Sequence, residues 1–155
     1  MTRSDAPRSP ATASPHFADA AALQAYLTDV FPQWRSADGG YSVAAVGDGT
    51  ASLHLAHAER HLRPGGTVSG PTMMTLADVA AYAAILGAIG RVPLAVTTSL
   101  NINFLRRPDP ADLLGEARVI KLGKRLAVCE IAILSGDALV AHATATYSIP
   151  PPERR

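Results

Sequence analysis

One carboxylate in this sequence sits where packing alone would not place it. Asp78 lies in Met73-Met74-Thr75-Leu76-Ala77-Asp78-Val79-Ala80-Ala81-Tyr82, and every near neighbour is apolar or small. A helix built only for packing would carry Ala or Leu there, and Asp is a poor helix former. A carboxylate taken out of water must find hydrogen-bonding partners or hold its proton more tightly. Such a group reads either as a catalytic acid or base, or as a structural Asp that bonds a neighbouring hydroxyl or faces a subunit interface. The second feature is the loop that precedes it, His61-Leu62-Arg63-Pro64-Gly65-Gly66-Thr67-Val68-Ser69-Gly70-Pro71. Glycine-rich backbone running into a helix N-terminus presents N–H groups and the positive end of the helix dipole. That arrangement can polarise a carbonyl and hold a developing oxyanion. The Gly70 N–H is the candidate donor, since Pro71 has none. The alternative is a plain N-terminal turn.

The remaining reactive residue types point to less. His54, His57 and His61 invite a metal reading, but His54 and His57 are an odd number apart on an extended segment and so point to opposite faces. No cysteine is near them and only Glu59 is a nearby carboxylate, so no metal site is expected. No Ser-His-Asp set has recognisable motif context, which argues against a serine hydrolase. Cys129 alternates with outward residues in a strand pattern and reads as a small core filler. Phe31 and Trp34 cap the core or border a pocket, and Met73 and Met74 are helix-packing residues first.

The elements that must position these residues follow from periodicity. Ser14-Pro15 resembles an N-cap followed by proline, and residues 16–31 carry Phe17, Ala21, Leu23, Leu27, Val30 and Phe31 at helical spacing, with Pro32 as the stop. Residues 41–46 and 51–56 read as strands joined by the hairpin signal Gly47-Asp48-Gly49. Residues 57–71 are loop, and residues 71–89 are a central helix stopped by Gly90. Strands are expected at 94–105, 113–122, 125–134 and 139–149, the last three as an antiparallel meander. A helix apolar on nearly all sides needs burial on nearly all sides, and a curved antiparallel sheet wrapped around it provides that. The outer face and edges of such a sheet favour oligomerisation.

Composition sets the class. The chain has 155 residues, of which 48% are hydrophobic and 17% charged. That is a globular domain rather than a disordered chain. A formal charge of +1 gives no electrostatic case for nucleic acid or an anionic membrane as partner. A single cysteine cannot form an internal disulfide. Residues 1–13, rich in Ala, Ser and Pro, read as a disordered lead-in without an apolar core of signal-peptide length. Residues 14–150 read as one domain and 151–155 as a tail. The run 73–89 is interrupted by Asp78 and falls short of the ~18 apolar residues of a membrane span, so a buried core helix and a cytoplasmic location are expected.

Residues 61–81, with Thr97-Thr98-Ser99-Leu100-Asn101-Ile102-Asn103-Phe104-Leu105-Arg106, resemble the phenylacetate-degradation (PaaI-type) branch of hotdog-fold thioesterases. That branch carries H-x-N-P-x-G-x-x-H-G-G, a helix with L-x-D-x-A, a T-x-x-L-x-I-N-F-L-R strand and a strand pair around G-[KR]-[KR]. Gly123-Lys124-Arg125 matches the last element, and Ala141-His142-Ala143-Thr144-Ala145-Thr146-Tyr147 resembles the family's final strand. The resemblance covers roughly residues 55–149 and is specific in combination rather than piece by piece.

The resemblance implies an α+β hotdog fold, here with an extra N-terminal helix, assembled as a dimer or a pair of dimers with active sites at the dimer interface. It implies an acyl-CoA thioesterase without metal or redox cofactor, the coenzyme A thioester being the substrate. Asp78 matches the catalytic carboxylate, Gly70 the N–H that polarises the thioester carbonyl, and Thr97 lies near a hydroxyl that helps place the water. The pantetheine and phosphates would run past the Gly123 turn, with Lys124, Arg125 and Arg106 or Arg107 as phosphate partners, the alternative for each being a solvated turn charge. Three positions depart from the pattern. Arg63 replaces an Asn, Ser69 a His, and Pro71 a Gly. Arg63 is permanently charged and cannot stand in for an amide; it could instead pair with Asp78 or bind a carboxylate-bearing acyl group. Ser69 can offer a hydroxyl to substrate but cannot act as a His would. His61 matches the motif and either braces the loop or touches substrate. The competing expectations are a non-catalytic acyl-CoA-binding hotdog domain and, more remotely, a hotdog dehydratase, which the absence of any His from the helix disfavours.

Overall fold

The computed structural model describes residues 12–34 and 40–154. Its elements in chain order are α1 (Ala20–Val30), β1 (Tyr41–Gly47), β2 (Thr50–Leu55), β3 (Leu62–Arg63), β4 (Thr67–Val68), α2 (Gly70–Ile89), β5 (Val96–Phe104), β6 (Leu113–Leu122), β7 (Leu126–Ser135) and β8 (Ala138–Ser148). The six long strands form one antiparallel sheet in the order β1-β2-β6-β7-β8-β5. The β6-β7-β8 meander is as the short turns predict. The expected loop 57–71 contains a short hairpin, β3 against β4, turning through Gly65 and Gly66 at positive φ.

The sheet curves around α2. Twelve of the helix's twenty residues are buried, on all sides of its axis, which is why its apolar residues show no single stripe. By length and composition alone α2 could cross a bilayer, yet 67% of its most apolar stretch is already covered by the rest of the chain. Gly90 ends it with φ 87°, a conformation that favours glycine, and donates its N–H to the Leu86 carbonyl. This is the hotdog arrangement.

Sheet and helix approach each other closely at two glycines. A Cβ on Gly87 would overlap the carbonyl oxygen of Gly47, and a Cβ on Gly115 would press on Leu76. Side chains at either point would push α2 off the sheet.

The start of α1 departs from the expectation. Asp19, not Ser14, is its N-cap, and Asp19 Oδ1 accepts the Ala22 N–H at 2.9 Å. Ser14 is occupied elsewhere. Its Oγ accepts from the His16 and Phe17 N–H groups and donates to the Gly87 carbonyl at 2.7 Å, which pins the entering chain to the end of α2. Phe17 is then buried beside α1 rather than on it. Ala13 bridges Gly47 and the Thr12 carbonyl accepts from Asp48, so the last two residues of the expected lead-in lie along β1. The rest of it, residues 1–11, falls outside the described residues. In the expected tail, Pro152–Arg154 forms a 3-10 turn.

Cys129 lies on β7 facing α2 with no exposed surface, and burial pushes its thiol up to about 12. We expect no reaction with an aromatic disulfide reagent in the native state and one equivalent of thiol on denaturation. Rapid native labelling would contradict this packing. The same property keeps the protein's own thiol silent in a thiol-release assay.

Candidate active site

Asp78 stands midway along α2, half-buried, where the helix looks out from under the edge of the sheet. Two hydroxyls converge on one of its oxygens. Thr97 Oγ1 on β5 donates to Asp78 Oδ1 at 2.6 Å, and the Tyr147 hydroxyl on β8 reaches the same Oδ1 at 2.7 Å. Sheet register brings them together, since Thr97 and Tyr147 are cross-strand partners with side chains toward the helix. The Tyr147 hydroxyl is also 2.8 Å from the Asp78 main-chain carbonyl. Burial, and then the Asp78 charge, push the Tyr147 phenol well above its ordinary value, so it acts as a donor.

This carboxylate opens onto a cavity of about 530 Å³. Its walls are apolar, formed by Phe31 at the end of α1, Met74 and Val79 on α2, and Val96 and Leu100 on β5. Tyr82 packs edge-on to Phe31 and stacked on Tyr147, its hydroxyl donating to the Pro93 carbonyl at 2.9 Å. Burial pushes that phenol up to about 12. Among the described residues no Lys, Arg or His lines the cavity. An apolar chamber with a few convergent oxygens at one side suits an acyl group with its reacting carbon beside Asp78.

The other expected residues are dispersed. Gly70 occupies the first position of α2, where the helix itself offers its N–H no acceptor. The Phe104 ring lies over it at a distance that would crowd a Cβ, 3.3 Å. Gly70 lines a second cavity of about 400 Å³ with Arg63, Phe104, Arg106 and Arg107. Eight residues of helix separate it from Asp78, about 12 Å of rise. Within one chain the expected oxyanion donor and the expected base therefore do not face the same carbonyl. Arg63 stands with Gly70 in that second cavity, away from Asp78.

Ser69 is the N-cap of α2. Its Oγ accepts the Thr72 N–H and lies 2.9 Å from the Thr72 hydroxyl, so its hydrogen-bonding capacity goes largely to the helix. His61 is buried and its carbonyl accepts from the Ser69 N–H at 2.8 Å, which ties the loop to the cap. At the β6–β7 turn, the Gly123 N–H donates to the Leu126 carbonyl and Arg125 Nε to the Ile149 carbonyl at 3.0 Å, while Lys124 is exposed. Leu126 and Val96 flank Ser148 from opposite sides, so this turn lies at the same end of the sheet as Thr97.

Sequence reasoning missed two groupings. Tyr147 was legible only as the end of the segment 141–147; its signal is a phenol that follows Ala141, Ala143 and Ala145 on the buried side of the strand. Asp112 is the other. It accepts from the His57 N–H at 2.7 Å and pairs with His54 Nε2 at 2.8 Å, and the His57 bond chiefly holds its carboxyl below the usual range. The carboxylate beside these histidines thus comes from 55 residues downstream of His57. Among the described residues no group of three or more His, Cys, Asp or Glu could hold a metal.

The sequence model of the thioesterase superfamily matches residues 65–146, just over half of the chain. The chain belongs to the thioesterase superfamily. The match holds Gly70, Asp78, Thr97 and the 123–125 turn, and stops one residue short of Tyr147; His61 and Arg63 lie before it. A crystal structure of a candidate thioesterase from Silicibacter sp. TM1040 is 51% identical, covers 86% of this chain and 92% of its own, and superposes with a TM-score of 0.76. A variant of the phenylacetic acid degradation protein PaaI from Thermus thermophilus is 26% identical over 72% of this chain and 94% of its own, with a TM-score of 0.66. A candidate esterase of Pseudomonas aeruginosa is 36% identical over 94 residues, 59% of this chain and 69% of its own. Membership in this superfamily supports thioester hydrolysis as the general chemistry.

Proposed function

We propose that this thioesterase-superfamily protein hydrolyses acyl-CoA thioesters by direct attack of water, with Asp78 as the base. The observation that carries the reading is the paired donation of Thr97 and Tyr147 to Asp78 Oδ1 at the wall of an apolar cavity. With Oδ1 engaged, Oδ2 is the oxygen left to take a proton. Water held there attacks the thioester carbonyl carbon as its proton passes to Oδ2. The carbon–sulfur bond then breaks, and the proton held by Asp78 goes to the departing thiolate. The carbonyl oxygen needs donors while it carries charge. The separation of Gly70 and Asp78 along α2, about 12 Å by helix rise, supports a site built across two copies. Asp78 of one copy would then face the Gly70 N–H and helix dipole of the other. The exposed edge strand β5, with Val96 and Phe104 at least half exposed, is the surface through which copies would meet.

The deciding experiment is thiol release from short aliphatic, long aliphatic, aromatic and dicarboxylic acyl-CoAs. Turnover of at least one class is expected. Tight binding with thermal protection but no release from any of them would replace hydrolysis with a non-catalytic acyl-CoA-binding role.

A further inference from the structure

Tyr147 has the geometry of a second orienting group for Asp78, independent of Thr97 and from a different strand. We propose that Tyr147 is the positioning residue that holds Asp78 Oδ1 occupied, so that Oδ2 alone serves as base, and that its single phenolic proton moves between two acceptors on the same residue during turnover. This inference rests on the hydrolase reading above.

A phenol has one proton to donate. Tyr147 has two acceptors within hydrogen-bonding distance, Asp78 Oδ1 at 2.7 Å and the Asp78 carbonyl at 2.8 Å. While the carboxylate is charged, Oδ1 is the better acceptor, because a bond to an ionised oxygen is roughly twice as strong as a neutral one. Once Oδ2 has taken the proton of the attacking water, that advantage falls away and the carbonyl becomes a competitive acceptor. Only a small rotation of the C–O–H group is needed. When Asp78 releases its proton to the leaving thiolate, the phenol returns to Oδ1. No net proton is gained or lost by Tyr147.

The scaffold holds the phenol for this work. Its ring is buried, 3% exposed, and stacks on Tyr82 with centroids 6.3 Å apart. The titratable groups that face the pair are few. Tyr82 on α2 donates to Pro93, Cys129 on β7 keeps its proton, Thr97 on β5 is neutral, and the described cavity lining brings no cation. Hydrogen bonds from Thr97 and Tyr147 are thus the means at hand for favouring the charged carboxylate.

The test compares wild type, Tyr147→Phe and a protein with 3-fluorotyrosine at position 147, using the best acyl-CoA of the panel. Tyr147→Phe keeps the ring stack and removes one donor to the charged carboxylate. Its kcat should fall about tenfold with KM little changed, and the acidic limb of the kcat profile should move up by about one pH unit. The fluorinated phenol is a stronger donor and should move the limb down. It also keeps the hydroxyl, so it remains informative if the Phe variant folds poorly. A parallel titration of the ¹³C-labelled Asp78 carboxyl reads the same displacement without turnover. If the limb and the carboxyl signal stay in place in both variants, the inference is overturned, even where the rate falls. A wild type that cleaves no thioester, with the carboxyl signal displaced as expected, would reject the hydrolase reading and retain the Tyr147–Asp78 coupling.

Discussion

Asp78→Asn is expected to lower kcat by about 100-fold or more while leaving KM within a few-fold of wild type, measured as thiol release from the preferred acyl-CoA. The two hydroxyls that define the site explain why so small a change should have so large an effect. Thr97 and Tyr147 both donate to Oδ1. In the variant they would select the amide rotamer that puts oxygen in that place, leaving the NH₂ group where Oδ2 had been. A base is then replaced by a donor at the point where water must give up a proton. The fold should not suffer, since removing a half-buried charge relieves desolvation and the hydroxyls keep their acceptor. A variant with an unchanged or raised melting temperature and wild-type turnover would remove Asp78 from the mechanism. Loss of turnover together with loss of fold would not support it either, which is why the melting curve belongs to the measurement.

Gly87→Ala should have the largest effect on stability among conservative substitutions in α2. Ala is a better helix former than Gly by about 1 kcal/mol, so on an open helix face this change would stabilise. Here the added methyl would overlap the Gly47 carbonyl oxygen, a backbone atom held by the β1–β2 pairing. Overpacking of this kind costs about 1–3 kcal/mol and occasionally more, and the absence of a flexible side chain to yield places it at the upper end. The net expectation is a loss of about 2 kcal/mol, or roughly 4–8 °C in melting temperature for a domain of this size. Thermal unfolding of the purified variant reads it directly. A raised melting temperature would mean that helix and strand separate more readily than their packing implies.

The two substitutions sit at opposite ends of what could be read from residues alone. Asp78 was legible because its neighbours are so uniformly apolar that a carboxylate among them needs a reason. Gly87 was not, since a glycine in an apolar helix carries no mark of what approaches it. The same contrast runs through the chain. The long strands and α2 appear within two residues of where alternation, helical length and the Gly90 stop place them, because those signals are local. The first helix begins at Ala20 rather than near His16, because Ser14 gives its hydroxyl to the Gly87 carbonyl, 73 residues away. Ser69, expected at substrate, is engaged in capping α2. His54 and His57, read as pointing apart, both converge on Asp112, one by its ring and the other by its backbone.

By itself the sequence determined that one very apolar helix would be wrapped by an antiparallel sheet, that a lone carboxylate would sit on that helix, and that a glycine-rich turn would lead into it. Periodicity, turn chemistry and the cost of burying charge act over a few residues and need no knowledge of what lies across the fold. Only the tertiary structure decided what Asp78 meets. Register between β5 and β8 aligns Thr97 with Tyr147, and curvature of the sheet then carries both hydroxyls to one carboxylate oxygen. It also decided where Asp78 and Gly70 open, Asp78 onto the apolar cavity and Gly70 onto the second one beside Arg63 and Phe104. Cross-strand register and sheet curvature are set by packing of the whole, so no stretch of sequence records them.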